Sequence, residues 1–228
     1  MLKVVVAGGV EGAARAEGTA IVIDVIRAFT VSAYALHGGA RCCRLVQGVD
    51  EARRLAGTIP GSVVSAEEDG LPIPGIPISN SPTQVAATDL RGRVLVQRTS
   101  AGTQAAVAAR GAERLLVASM VVAAATIRLV RSLGVELVTI IPSAPDDEED
   151  RACAAYLGAL LTGGRPDAGE LLAPLRASSR YQRLAAGEVP GFPPTDLDLA
   201  LDVDHFDFAM PVTRDEAGLR VEAVRAPG

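Results

Sequence analysis

The sequence predicts an α/β fold in three layers, helix, sheet and helix, around a mostly parallel or mixed sheet. Short apolar runs alternate along the 228 residues with segments whose apolar residues recur at helical spacing. The runs are rich in Val, Ile and Leu, which is typical of strands buried on both faces. Aromatic residues make up only 3% of the chain, so the core must be aliphatic, as α/β layers allow.

The stretch from residue 20 to residue 40 is the one around which the chain is organised. The apolar run at 20–23 predicts a buried strand, Asp24 follows its end, and Arg27 lies three residues later. A helix is predicted next, ended by a Gly-Gly pair. Two interpretations stay open. Asp24 and Arg27 either line a ligand site where strands end and helices begin, or form a local helix cap in which Arg27 pairs with Asp24.

The remaining elements continue the alternation in order. A strand is predicted at 2–6, followed by a loop that contains Gly8, Gly9 and Gly12. Later strands are predicted at 42–46, 62–66, 93–97, 114–118, 136–141, 206–212 and 219–224. Helices are predicted at 49–56, after Pro82, from the RTSAGT segment to 110, from a cap at Ser119 to 131, from the acidic DDEED segment to 161, and at 196–201. The proline-rich loop at 70–82 is an active-site flap or an interface segment.

Length and composition limit the class of protein. The chain is expected to be one domain over 1–228, with a second lobe from about residue 166 as the alternative. The formal net charge of -5 and the lack of a basic run argue against nucleic-acid binding. The longest apolar stretch, 115–127, is too short to span a bilayer. The three cysteines show no metal or redox spacing, and a cytoplasmic location is expected.

Polar or acidic residues follow the predicted strands, and this regularity predicts a site. The residues are Asp24, Glu67, Thr99 with Ser100, Ser119, and Ser143 with Asp146. In a mainly parallel sheet such ends share one edge. The alternative is that strand-to-helix loops are polar in any protein. That alternative explains the hydroxyl residues better than it explains the carboxylates.

Three carboxylate groups are therefore expected to converge: Asp24, Glu67 and the Glu149–Asp150 pair. Carboxylate oxygens suit Mg²⁺, which keeps several waters and bridges to substrate phosphates. The RTSAGT segment, 98–103, could cradle an anion with its amides and hydroxyls, and Arg27 and Arg98 could add positive charge. The alternative for the DDEED segment is a solvated helix start. Neither histidine is placed for a catalytic triad.

The motifs that carry a family resemblance are DVIRAFT at 24–30, AEE at 66–68, IPG at 73–75, SNSP at 79–82, TSAGT at 99–103, and Glu149–Asp150 with Cys153. In their order and spacing the chain resembles the 2-phosphosulfolactate phosphatase family, the magnesium-dependent enzymes of coenzyme M biosynthesis. The resemblance covers roughly two-thirds of the chain, in the sense that several short motifs agree on one arrangement.

The resemblance implies a role for each matched position. The implied catalytic residues are Asp24, Arg27, Glu67, Asn80, Ser81, Glu149 and Asp150. The implied substrate-binding residues are Arg27, Arg98, Thr99, Ser100, Gly102 and Thr103. The implied metal ligands are Asp24, Glu67 and Asp150, with Mg²⁺ as the cofactor. The partner would be a small anionic phosphorylated substrate, with no nucleic acid and no membrane, and a homodimer is an open alternative for the assembly.

Three positions depart from the family pattern. Glu68 replaces an arginine, Ala101 an asparagine and Ser79 a glycine. Glu68 adds negative charge where the family supplies a cation, so we expect weak activity on 2-phosphosulfolactate and a higher one after Glu68→Arg. The alternatives are a non-catalytic small-anion-binding protein on the same fold, or a phosphatase for a different phosphorylated hydroxy acid.

Overall fold

A computed structural model describes residues 2–226, and these residues form ten strands and ten α-helices. The strands are β1 (Lys3–Val6), β2 (Thr19–Ile23), β3 (Cys42–Leu45), β4 (Val63–Glu68), β5 (Leu71–Pro72), β6 (Val94–Arg98), β7 (Arg114–Ala118), β8 (Leu137–Pro142), β9 (Met210–Asp215) and β10 (Gly218–Val221). The helices are α1 (Gly9–Ala14), α2 (Ala28–His37), α3 (Val49–Thr58), α4 (Pro82–Ala86), α5 (Gly102–Ala108), α6 (Ala123–Ser132), α7 (Glu148–Leu161), α8 (Ala168–Ala177), α9 (Ser179–Ala185) and α10 (Thr195–Ala200).

All ten strands form one mixed sheet, in the order β1-β8-β2-β7-β9-β10-β3-β6-β4-β5. Strands β1, β8, β2 and β7 are parallel to one another, as are β3, β6 and β4. The β9–β10 hairpin lies between these groups and pairs antiparallel with β7 on one side and β3 on the other. The strands of the second group therefore run antiparallel to those of the first group.

Helices cover the sheet in two layers, which confirms the predicted α/β/α class. Helices α1, α2, α4 and α5 pack together, whereas α7 packs against α6 and α8, and β2 contacts both α5 and α7. Every residue of β2 is buried, as its aliphatic run predicts. Nine of the ten residues of α2 are buried as well, because a helix that is apolar on all sides belongs inside the core.

The ends of β2 and β6 meet, although the two strands belong to different groups. Gln97 Nε2 donates a hydrogen bond to the Ala28 carbonyl at 2.7 Å, and Ser32 Oγ donates to Gln97 Oε1 at 2.7 Å. A side chain on Gly102 would come within 3.0 Å of Asp24 Cβ. The sequence predicts these ends at one edge of a mainly parallel sheet. In the structure, the two ends that meet belong instead to groups of strands that run in opposite directions.

Three predicted elements need correction. The Gly8–Gly12 loop is largely helical, since α1 begins at Gly9. Ser119 makes no side-chain cap, and Asp204 Oδ1 accepts the Ala124 amide hydrogen at 2.6 Å instead. The strand predicted at 206–212 begins only at Met210, because the backbone before it bonds elsewhere: the Phe206 amide donates to the Val121 carbonyl at 2.9 Å. None of the helices within 2–226 has the length and apolar character that a membrane span requires.

Candidate active site

Asp24 and Asp150 form a buried carboxylate pair where β2 ends and α7 begins. They are 6% and 3% exposed. Asp24 Oδ1 accepts the amide hydrogen of Ala28, the first residue of α2, at 2.8 Å. Asp150 Oδ1 accepts that of Val25 at 2.9 Å, and Asp150 Oδ2 accepts bonds from Ser143 Oγ and the Ala144 amide. Asp150 therefore fixes the chain directly after Asp24.

The environment of this pair opposes negative charge. Burial raises the pKa of Asp24 from its ordinary value of 3.8 to about 7, and the charges of Glu67 and Glu149 add to that rise. Burial, followed by the charge of Asp24, raises the pKa of Asp150 well above its ordinary value. Within residues 2–226 neither carboxylate has an arginine, lysine or histidine in ion-pair contact. A cation bound next to the pair would therefore favour the charged form of both carboxylates.

Glu149 extends the acidic group toward α9. It is 1% exposed, and Arg180 Nη1 donates to both of its carboxylate oxygens at 2.6 Å. Burial raises the pKa of Glu149, and the charge of Arg180 opposes that rise. Asp146 of the same acidic segment is exposed. The alternative of a solvated helix start is therefore wrong for Glu149 and Asp150.

Glu67 occupies the loop that the sequence predicts as an anion cradle. Its Oε1 accepts the amide hydrogen of Ser100 at 2.5 Å, and its Oε2 accepts that of Gly70 at 2.5 Å. Thr99 and Thr103 are buried and bond each other through amides and hydroxyls. The anion that this loop holds in the structure is thus the Glu67 carboxylate.

Arg27 is buried and its partner is Asp196. Its Nη1 donates to Asp196 Oδ2 at 2.8 Å and to the Gly191 carbonyl at 3.0 Å, and its guanidinium lies 4.6 Å from the centre of the Phe192 ring. The interpretation of Asp24 and Arg27 as a local helix cap is partly right, because Asp24 accepts the amide hydrogen of the first residue of α2. The expected pairing of Arg27 with Asp24 is wrong.

Asn80 and Ser81 belong to the same buried network. Ser81 Oγ donates to Asp196 Oδ1 at 2.7 Å and accepts the Gln84 amide hydrogen, which caps α4. Asn80 has a φ of 58°, and its Oδ1 accepts a bond from Gln97 Nε2 at 3.3 Å. Asp196 therefore ties the start of α4 to Arg27.

A cavity of about 330 Å³ opens beside Arg27 and is called the arginine cavity here. It is lined by Ile26, Arg27, Gly70, Arg180, Arg183, Leu184, Val189 and Phe192. The sequence interpretation overlooks Asp196, Arg180 and Arg183. For the two arginines a signal exists, because residues three apart on a helix share one face.

Arg98 and Glu68 lie elsewhere. Arg98 donates to the carbonyls of Gln47 and Glu67 and to Ser100 Oγ. Glu68 is exposed and lines a surface depression together with Arg98, Arg53 and Arg54. Neither residue lines the arginine cavity.

The carboxylates suit a magnesium ion that retains most of its waters. In residues 2–226, no three His, Cys, Asp or Glu side chains are grouped so that they would enclose a metal ion by themselves. Asp24 Oδ2 accepts no backbone amide hydrogen, whereas both oxygens of Glu67 and both oxygens of Asp150 do. Mg²⁺ commonly uses one or two carboxylates together with water and substrate phosphate. By this measure Asp24 fits that requirement better than Glu67, and Asp150 is its buried neighbour, whose charge adds to that of Asp24.

The amino-acid sequence is similar to those of known proteins. A sequence model of the 2-phosphosulpholactate phosphatase family matches residues 7–213. A probable 2-phosphosulfolactate phosphatase of Bacillus subtilis (strain 168) is 34% identical over 207 residues, which cover 90% of this chain and 91% of the relative. One from Thermus thermophilus is 38% identical over 53% of this chain and 51% of its own length. One from Carboxydothermus hydrogenoformans is 33% identical over 62% and 59%, respectively.

Proposed function

Since the chain belongs to the 2-phosphosulfolactate phosphatase family, we propose that it is a magnesium-dependent phosphatase that hydrolyses 2-phosphosulfolactate to sulfolactate and phosphate. The observation that carries the proposal is the buried Asp24–Asp150 pair. Two carboxylates with raised pKa values and no cation partner in the described chain lie next to residues that line the arginine cavity. Perturbed acids beside a cleft are characteristic of catalytic sites.

Each part of the site has a chemical task in this proposal. Asp24 and Asp150 would hold the ion, with Asp24 Oδ2 as the oxygen that no amide occupies. The ion supplies positive charge that polarises a phosphoryl oxygen and favours deprotonation of water. The pKa of Asp24 is about 7, so this carboxylate exchanges a proton near neutral pH and loses it when a cation binds. Arginines of the cavity attract and orient an anionic ester.

The direct test is phosphate release from a panel of esters by the purified chain. We expect hydrolysis of 2-phosphosulfolactate with Mg²⁺ and none with EDTA. The panel should include other phosphorylated hydroxy acids and one phosphate ester without a second acidic group. Equal rates with Mg²⁺ and EDTA would reject the magnesium dependence, and no release from any ester would reject the phosphatase.

Asp150→Asn is expected to weaken Mg²⁺ binding by at least about tenfold, because one charge of the pair is lost and each ~1.4 kcal/mol of binding free energy is a factor of ten. Isothermal titration calorimetry with MgCl₂ measures it. Asp146→Asn is the matched control, because Asp146 is exposed in the same acidic segment and should bind like the wild type. Identical titrations for wild type and Asp150→Asn would reject Asp150 as a ligand.

Gly102→Ala is expected to lower kcat/KM by about 100-fold, since ångström-scale displacements at a reacting centre have effects of that order. Its Cβ would press on Asp24 Oδ2 and lie 2.8 Å from Ala28 Cβ. Gly57→Ala is the control, because Gly57 is also helical and a Cβ there would meet nothing within 4 Å. If both variants keep wild-type kcat/KM, Asp24 does not need its present position.

A second candidate substrate, another phosphorylated hydroxy acid, is favoured by the departure at Ala101. Ala101 stands at the N-cap of α5 and has no side-chain cap, so the asparagine of the family pattern has no counterpart there. The same ester panel decides between the two substrates. Hydrolysis of another acid with at least tenfold higher kcat/KM than 2-phosphosulfolactate would favour this candidate.

A further inference from the structure

The cations that line the arginine cavity differ in how much of their charge is already neutralised. Arg27 is paired with buried Asp196, and its guanidinium also donates to two backbone carbonyls. Arg180 contacts Glu149 and, at 3.2 Å, Asp147. Arg183 stands apart, because its guanidinium has no ion-pair partner among residues 2–226.

The backbone of Arg183 is nonetheless held in a defined place, although its side chain is exposed. It lies on α9, three residues after Arg180, so both side chains leave the helix on one face. The next residue, Leu184, is 5% exposed and packs in a buried cluster with Phe192 and Leu197. Ser178 Oγ accepts the Tyr181 amide hydrogen at 3.1 Å and caps the helix. The position of Arg183 therefore follows from packing and capping rather than from a bond of its own side chain.

We propose that Arg183 binds the second acidic group of the substrate, a sulfonate or carboxylate, and thereby selects phosphate esters that carry one. The proposal rests on the proposed function and specifies how that site chooses its substrate. A planar guanidinium presents paired donors that match such oxyanions. Arg180 has the separate task of a positioning residue, because its charge is committed to Glu149 next to Asp150.

The positions of these groups support a division of the cavity. Glu149 and Asp150 are neighbours in α7, so the end of the cavity at Arg180 lies toward the carboxylate pair. Arg183, about one helical turn further along α9, also lines the cavity and has no part in that ion pair. In this proposal the phosphoryl group lies at the carboxylates and a further acidic group of the substrate, its sulfonate or its carboxylate, lies at Arg183.

The test compares Arg183→Gln with Arg176→Gln, an exposed arginine near the end of α8 that does not line the cavity. The first probe is sulfolactate, a product that undergoes no turnover, titrated by calorimetry in EDTA. We expect Arg183→Gln to weaken its binding by about 10–100-fold, the range of a charge-assisted hydrogen bond, and Arg176→Gln to leave it unchanged.

The second probe is steady-state hydrolysis with Mg²⁺. For 2-phosphosulfolactate, Arg183→Gln should raise KM by a similar factor and change kcat by less than about threefold, because binding energy that is equal in the ground and transition states appears in KM. For ethyl phosphate, which lacks a second acid, kcat/KM should fall by a clearly smaller factor. Equal losses on both esters would overturn the proposal.

Failure of this proposal can be distinguished from failure of the proposed function. If the wild type binds sulfolactate but hydrolyses no ester, the phosphatase is rejected and the titrations still decide on Arg183. If Arg183→Gln binds sulfolactate as tightly as the wild type, Arg183 is rejected whatever the enzyme hydrolyses. Lack of sulfolactate binding by the wild type also rejects it.

Discussion

Asp24→Asn is expected to make the protein more stable above neutral pH and to reduce kcat by about 10³-fold or more. Asn keeps the shape of the side chain and its acceptor for the Ala28 amide. It removes the charge that burial and the nearby Glu67, Glu149 and Asp150 disfavour. It also removes the oxygen anion that the proposed chemistry needs. Stability and activity thus change in opposite directions, as at many active sites.

The pH dependence of the free energy of unfolding shows that the charged Asp24 carboxylate destabilises the folded state. The pKa of Asp24 is about 7 in the folded chain against an ordinary 3.8, so between these values the folded state binds more protons than the unfolded state. Stability from this group therefore falls as pH rises from about 4 to about 7 and is constant above. At pH 8, Asp24→Asn should raise the free energy of unfolding by about 1–3 kcal/mol, less than the full linkage value because Asp150 titrates with it.

Urea unfolding in EDTA at pH 8 and pH 5 measures the gain, which should be clearly smaller at pH 5. Asp146→Asn controls for the loss of an exposed charge in the neighbouring acidic segment and should change stability by less than about 0.5 kcal/mol. Saturating Mg²⁺ should stabilise the wild type more than the variant. A variant that is less stable than the wild type at pH 8, or one with kcat within tenfold, contradicts the assignment.

Asp196→Asn is expected to lower the free energy of unfolding by about 3–5 kcal/mol, the usual effect of removing one partner of a buried ion pair. Asp196 is fully buried and accepts bonds from Arg27, Ser81 Oγ and the Thr83 amide. The variant leaves the Arg27 charge buried without an anion. For a chain of this size the midpoint of thermal unfolding should fall by roughly 10 °C.

Asp198→Asn is the matched control, since Asp198 is exposed on the same helix, α10. Its midpoint should stay within about 2 °C of the wild type, as for most surface substitutions. A second comparison isolates the charge. In an Arg27→Gln background, Asp196→Asn should be less destabilising than in the wild type. Equal effects in both backgrounds would show that the ion pair is not the cause.

Local patterns in the sequence predict much of the fold. The aliphatic run before Asp24 predicts β2, and the apolar spacing that follows predicts α2. The α/β/α class follows from the alternation of such segments. What local patterns do not contain is the partner of each strand. The placement of the β9–β10 hairpin between the two parallel groups depends on contacts between β7 or β3 and residues about 100 or more positions later.

The candidate site, like the fold, can be predicted only in part from local sequence patterns. Asp24 lies near enough to Glu67 and Glu149 for their charges to raise its pKa, yet within residues 2–226 these carboxylates do not form one cluster of metal ligands. The partner of Arg27 is 169 residues away, so its identity could not follow from neighbouring residues. The donors of the 99–103 loop were recognisable, but nothing local shows that Glu67 would be the anion they bind. The burial of Glu149 and Asp150 had a signal, since Cys153 and Leu157 continue the same buried helical face.

The central position of the β9–β10 hairpin has a consequence for biosynthesis. Its strands leave the ribosome after those of both parallel groups, yet they link the two groups in the sheet. Until they arrive, the pairing edges of β7 and β3 have no neighbour, and unpaired edges are sites of aggregation. In the nascent chain the two half-sheets are therefore not joined through the hairpin until residues 210–221 have been synthesised. A message truncated before residue 210 would yield a product with both edges permanently open.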